Sequence, residues 1–154
     1  MPDLWPAELV AGKVRAPVAL LHEQAALLGD KTGNVVQARV VPVEQFVFVK
    51  RQYEPFTYSF LLHAPALGSY RYRLFDITYG VALYPVRVFP DNDIVKELAA
   101  QHNVVVDKDA FFRAEDESKL MEYLSTIFHS EKTMQVIRAL LAQSSVLADT
   151  GYAT

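Results

Sequence analysis

The chain has 154 residues, 51% of them apolar and 21% charged, which suits one folded domain and excludes a largely disordered chain. Its net charge of -3 argues against a dominant nonspecific grip on nucleic acid, which needs a basic excess. Without cysteine it has no disulfide, thiolate zinc site, iron–sulfur cluster or cysteine nucleophile.

Residues 1–16 hold Trp5 and Pro6, then a short Ala-Glu-Leu-Val-Ala-Gly piece. We expect an N-terminal arm that packs Trp5 onto the body. The segment lacks a basic region followed by a long apolar stretch, so no secretory leader is expected and a cytoplasmic location is the default. The longest uncharged stretch, Pro55 to Tyr70, is too short and too polar to span a bilayer.

A first helix is expected from Pro17, a residue suited to the first helical turn. Leu20, Leu21, Leu27 and Leu28 recur at helical spacing with Ala25 between them. Gly29 or Gly33 ends it. The character then changes. Residues 35–43 and 46–49 are rich in β-branched residues, and Pro42 between them marks a bulge or an edge.

In the next strand Phe56, Tyr58, Phe60 and Leu62 alternate with Thr57, Ser59, Leu61 and His63, the pattern of a strand with one face in the core. After an Ala-Pro-Ala-Leu-Gly-Ser turn comes Tyr70–Tyr79. Strict alternation puts Tyr70, Tyr72 and Leu74 on one face, and Arg71, Arg73 and Phe75 on the other. The same parity puts Asp76 with the tyrosines, so only a bulge would bring it to the arginine side. A further strand follows Gly80, with Pro85 at an edge or a bulge. Short turns make antiparallel pairs, so a meander of four or five strands is expected.

Asp91 is placed to cap a helix through Ile94, Val95 and Leu98. Residues 103–106 form a candidate extra strand. Leu120, Tyr123, Leu124, Ile127 and Phe128 make one helical stripe, Ser130 breaks it and caps the next, and Val136, Ile137, Leu140 and Leu141 make a second. From Ser144 onward the tail is small and polar and is expected to fray, over 145–154 in particular. The fold class is therefore α+β: an N-terminal helix, an antiparallel meander of four or five strands, then two or three C-terminal helices covering one face of the sheet.

Most motif matches have plainer explanations. Lys31-Thr32 after a glycine resembles a phosphate loop, but Gln24 stands where the first glycine belongs, and the helix comes before the loop. His22-Glu23 begins like a zinc-protease motif, but Ala26 stands where the second histidine belongs. Asp91-Asn92-Asp93 and Asp107-Lys108-Asp109 lack the glycine and distal glutamate of a calcium loop, and read as helix caps, as does Glu115-Asp116-Glu117. No serine lies in a nucleophile elbow. Phe46 to Arg51 comes nearest to a basic-aromatic RNA motif without its glycines. No cofactor and no metal are expected.

The unusual piece is Tyr70-Arg71-Tyr72-Arg73. Its arginine face, joined by Ser59 and His63 from the preceding strand and by Arg87 if register allows, makes a candidate anion-binding site; the plainer reading is the wet face of a half-exposed sheet. The primary functional expectation is a non-catalytic interaction module that binds a protein partner or pairs with itself as a homodimer. It draws on two apolar helical stripes that exceed what a small sheet needs. The alternatives are a small-molecule or anion-binding protein or enzyme using His63, Arg71 and Arg73, and a nucleic-acid accessory protein.

Overall fold

The computed structural model describes residues 1–43, 54–102 and 111–149. Helix α1 spans Pro17–Lys31 and opens on its proline. A proline there sacrifices no hydrogen bond, because the first N–H groups of a helix are unpaired in any case. The buried stripe is narrower than the leucine spacing suggests. Leu20 and Leu21 are buried and Leu28 half-buried, while Leu27 is exposed. The chain leaves through Gly33 and Asn34, both left-handed at φ 59° and 64°, a conformation that crowds a Cβ and that these two residue types tolerate.

Five strands follow: β1 Gln37–Pro42, β2 Phe56–His63, β3 Arg71–Tyr79, β4 Val86–Pro90 and β5 Phe112–Ala114. They lie in spatial order β1-β2-β3-β4-β5, with every neighbouring pair antiparallel. β1 is an edge strand ending at Pro42, where a missing N–H is harmless. β4 starts only at Val86, because residues 81–85 form the turn before it. The expected strands at 46–49 and 103–106 lie outside the described residues, as do the Phe46–Arg51 run and Asp107-Lys108-Asp109. The fifth place goes to β5, three residues too short to announce themselves by alternation.

Between β2 and β3 the register slips by one residue. Phe60 faces Phe75 but Leu61 faces Arg73, which leaves Leu74 with no opposite number. One extra residue flips every later side chain to the other face. The expected grouping of Phe75 with the arginines is therefore overturned. Leu74, Phe75, Ile77 and Tyr79 all enter the core, on the side of Leu62 and Tyr72.

Helices α2 (Asn92–His102), α3 (Glu117–Phe128) and α4 (Glu131–Asp149) complete the fold. Buried residues of all four helices join one cluster with a single face of the sheet: Leu21, Ile94, Leu124 and Leu140 meet Phe60, Leu62, Phe75 and Val88. Phe60 and Phe75 stack at 5.0 Å, and Phe128 of α3 closes on them at 5.4 and 6.1 Å.

The helix starts are capped as expected. Asp91 accepts from the Asp93 N–H at 3.3 Å, Asp116 from Lys119 at 2.8 Å and Ser130 from Thr133 at 3.2 Å. A second cap for α4 comes from another helix: the Glu97 carboxylate of α2 accepts from the Glu131 and Lys132 N–H groups at 2.8 and 3.1 Å. It satisfies two orphan donors and opposes the positive end of the helix dipole.

Two terminal expectations are corrected. Trp5 does not pack on the body; it is 74% exposed, and residues 1–15 are exposed throughout. The arm is held at its base, where Arg15 bridges Glu23 of α1 and Glu117 of α3 at 2.6 and 2.9 Å. Its apolar residues, interrupted by Pro2, Pro6 and Gly12, have no periodic face to lay against the core. At the other end α4 does not fray from Ser144 but continues to Asp149. Ser144 is buried, and it continues the four-residue spacing of Val136 and Leu140. Residues 150–154 lie outside the described residues.

Candidate functional site

Because the helices take one face of the sheet, the opposite face is left to side chains of the strands. Strand register places them in rows. Gln37, His63 and Arg71 stand side by side, then Arg39, Leu61 and Arg73, then Val41, Ser59, Asp76 and Phe89, then Thr57, Thr78, Arg87 and Arg113. The bulge at Leu74 is what brings Asp76 into this face. The face thus carries five arginines, Arg39, Arg71, Arg73, Arg87 and Arg113, on a chain that is acidic overall.

Three of the arginines are neutralised locally. Arg73 lies 3.3 Å from the Asp76 carboxylate and also donates to the Phe89 carbonyl at 3.4 Å. Arg87 and Arg113 stand directly opposite one another, a repulsive placement. Each has its own acid, Glu54 for Arg87 at 3.4 Å and Glu115 for Arg113 at 2.6 Å. Arg87 also lies over the Phe111 ring at 5.8 Å. Arg39 and Arg71 differ: both are exposed, and neither makes a hydrogen bond or an ion pair among the described residues.

The lower half of the face is a closed polar network. Ser59 donates to Asp76 at 2.5 Å. Asp76 is only 6% exposed, which its two partners make tolerable. The Thr57 and Thr78 hydroxyls share a hydrogen bond at 2.9 Å, and Thr78 accepts from the Glu54 N–H at 2.6 Å. The upper half is open. There His63 is half-buried, and its Nε2 is buried with no hydrogen-bond partner among the described residues. Burial lowers the pKa of His63, and the charges of Arg39 and Arg71 lower it further. The ring is therefore neutral at pH 7.

All five expected site residues lie on this face, but they do not make one site. His63 and Arg71 adjoin. Arg73 and Ser59 are drawn to Asp76, and Arg87 belongs to the far row with Arg113. The expectation missed Arg39, which reaches the site only through the β1–β2 register, and admitted Asp76 to the face only through a bulge, which the register shift supplies.

The exposed guanidiniums of Arg39 and Arg71 can hold an anion. The Ser59 hydroxyl donates to a carboxylate, that carboxylate pairs with Arg73, and no acid among the described residues orients His63. Among the described residues no three His, Asp or Glu side chains come together as a metal site, and no helix is long and apolar enough to cross a membrane. Elsewhere, His129, Glu131, Met134, Gln135 and Arg138 line an open depression of ≈530 Å³, where the His129 Nδ1 lies 2.8 Å from the Ser125 carbonyl. No protein-family model matches this chain, and neither does any curated protein or solved structure.

Proposed function

We propose that the chain is a small non-catalytic interaction module that binds an acidic partner across the open face of its sheet. The observation that carries this reading is the pair of exposed guanidiniums, Arg39 and Arg71, without an acid partner among the described residues, while every other arginine of the face has one. An unpaired, solvated cation gains little from folding, but it is available to a partner and steers one toward it. The Phe89 and Phe111 rings, 5.4 Å apart, add an apolar contact to the same face. The C-terminal stripes do not compete for this role. Leu120, Leu124, Ile127, Val136 and Leu140 are buried, and Ile137 and Leu141 pack against them.

A labelled oligoglutamate peptide followed by fluorescence anisotropy tests the reading. The peptide binds the wild type, and binding falls as salt is raised. The double substitution Arg39→Glu and Arg71→Glu weakens it by roughly a hundredfold, since like charges are then apposed. Equal binding by both proteins, or no binding at low ionic strength, sinks the proposal.

Self-association is the second reading, and it is favoured by the arm, whose Leu4, Trp5, Leu9 and Val10 are 89%, 74%, 68% and 84% exposed. Trp5 is the sole tryptophan, so its emission reports the arm alone. If copies pair through the arm, emission shifts to the blue as concentration rises, together with the sedimenting mass. Emission that stays water-like at every concentration rules that out.

A further inference from the structure

We infer that the exposed end of this face, the cluster formed by Arg39, His63 and Arg71, is a binding site for a tetrahedral dianionic oxyanion of the phosphate type. The inference rests on the reading that the open face takes an acidic partner, and it names the group that the partner presents. Arg71 stands directly opposite His63, and Arg39 is one row along on the far side of it. Side chains opposite on one face are about 5 Å apart at Cβ, and diagonal ones about 7–8 Å, so an ion above the imidazole is within reach of both guanidiniums.

The charge count selects the ligand. Two cations lack acids among the described residues, so a dianion balances them, whereas a single carboxylate leaves one of them unmatched. The two planar forks bring more N–H donors than a carboxylate can accept, and the three free oxygens of a phosphate monoester make better use of them. The neighbouring cation, Arg73, is held by Asp76 at 3.3 Å. The imidazole supplies a third arm. Its buried Nε2 has no hydrogen-bond partner among the described residues, and such an orphan is costly. For that nitrogen to meet the anion the ring must make a half-turn, which exchanges Nε2 with a carbon at no cost in volume.

The test follows the imidazole resonances of His63 by NMR while inorganic phosphate, phenyl phosphate or sulfate is added at constant ionic strength. A saturable shift is expected. Arg39→Gln and Arg71→Gln each weaken binding by about tenfold, the loss of one charge-assisted pair. Arg113→Gln, whose guanidinium pairs with Glu115 in the far row, leaves it unchanged. All three arginines are exposed, so the variants fold, as circular dichroism verifies. Binding of inorganic phosphate and phenyl phosphate alike marks a site for an esterified phosphate; binding of inorganic phosphate alone marks a site for the free ion.

Sulfate keeps its two charges, so its pH dependence reports the protein. Its affinity rises as pH falls from about 7 toward 5, because a bound dianion favours the protonated ring. The charged groups facing that ring are Arg39 from β1 and Arg71 and Arg73 from β3. His63→Asn removes the pH dependence. The proposal is overturned if no oxyanion moves the His63 resonances, or if the shift survives unchanged in Arg39→Gln and Arg71→Gln. Should the oligoglutamate peptide still bind through Arg39 and Arg71 in that case, the functional reading stands and only the ligand class falls. Should neither bind, both fall.

Discussion

Replacing Phe75 by alanine is expected to cost about 3–5 kcal/mol of folding stability, the largest loss from any single side chain considered for this protein. The ring is fully buried and stacks on Phe60 at 5.0 Å with 9° between planes, and Phe128 of α3 lies 6.1 Å away. It is therefore the point where two central strands and a C-terminal helix meet. Its truncation loses the transfer energy of the ring and leaves a cavity, which three elements would have to move together to close. Against a typical total of about 5–15 kcal/mol, such a loss is a large fraction of the stability.

Urea denaturation of Phe75→Ala beside Phe89→Ala makes the comparison informative. Phe89 belongs to the open face, is half-exposed and touches Phe111, so its loss is expected to cost about 1 kcal/mol. Equal losses would mean that the open face is packed as a second core, and the case for a binding surface there would fail with it.

The two phenylalanines also show what can be read from the residues. The period-two run of β2 and the helical stripes of α3 and α4 announce their elements, because apolar residues at strand or helix spacing have one way to be buried together. Those elements lie where their patterns put them. The bulge in β3 was legible too, but from a subtler sign. Apolar side chains occupy positions 70, 72 and 74 and then 75, 77 and 79, so parity changes at the adjacent pair Leu74 and Phe75. Strict alternation ignores that change, and so assigns Phe75 and Asp76 to the wrong faces.

Arg39 carried no such sign. Its place beside His63 depends on how β1 slides along β2, and no local pattern records that register. Trp5 was misplaced for a related reason: a large apolar side chain gains by burial, but residues 1–15 offer no repeating face that would carry it to the core.

Asp76→Ala is expected to lower stability by about 1.5–3 kcal/mol while strengthening the capture of an oxyanion several-fold, roughly three- to tenfold. The two effects have one origin. Asp76 is nearly buried and accepts from Ser59 at 2.5 Å, a hydrogen bond to a charged group that alanine cannot replace. Its ion pair with Arg73 adds less, since the guanidinium side is 41% exposed and water screens it. Once the carboxylate is gone, Arg73 is released into the row where Arg39 stands across Leu61, beside the row of His63 and Arg71. Among the described residues the open face then holds three unmatched cations instead of two, and a dianion placed over His63 meets a stronger field. Asp76→Asn separates the contributions: the carboxamide still accepts from Ser59, so stability falls less, yet the charge is lost and binding strengthens as it does with alanine. Phosphate titration of both variants decides the matter. If binding weakens in both, Arg73 serves the site through its pairing with Asp76, and the charge balance of the face is not what governs it.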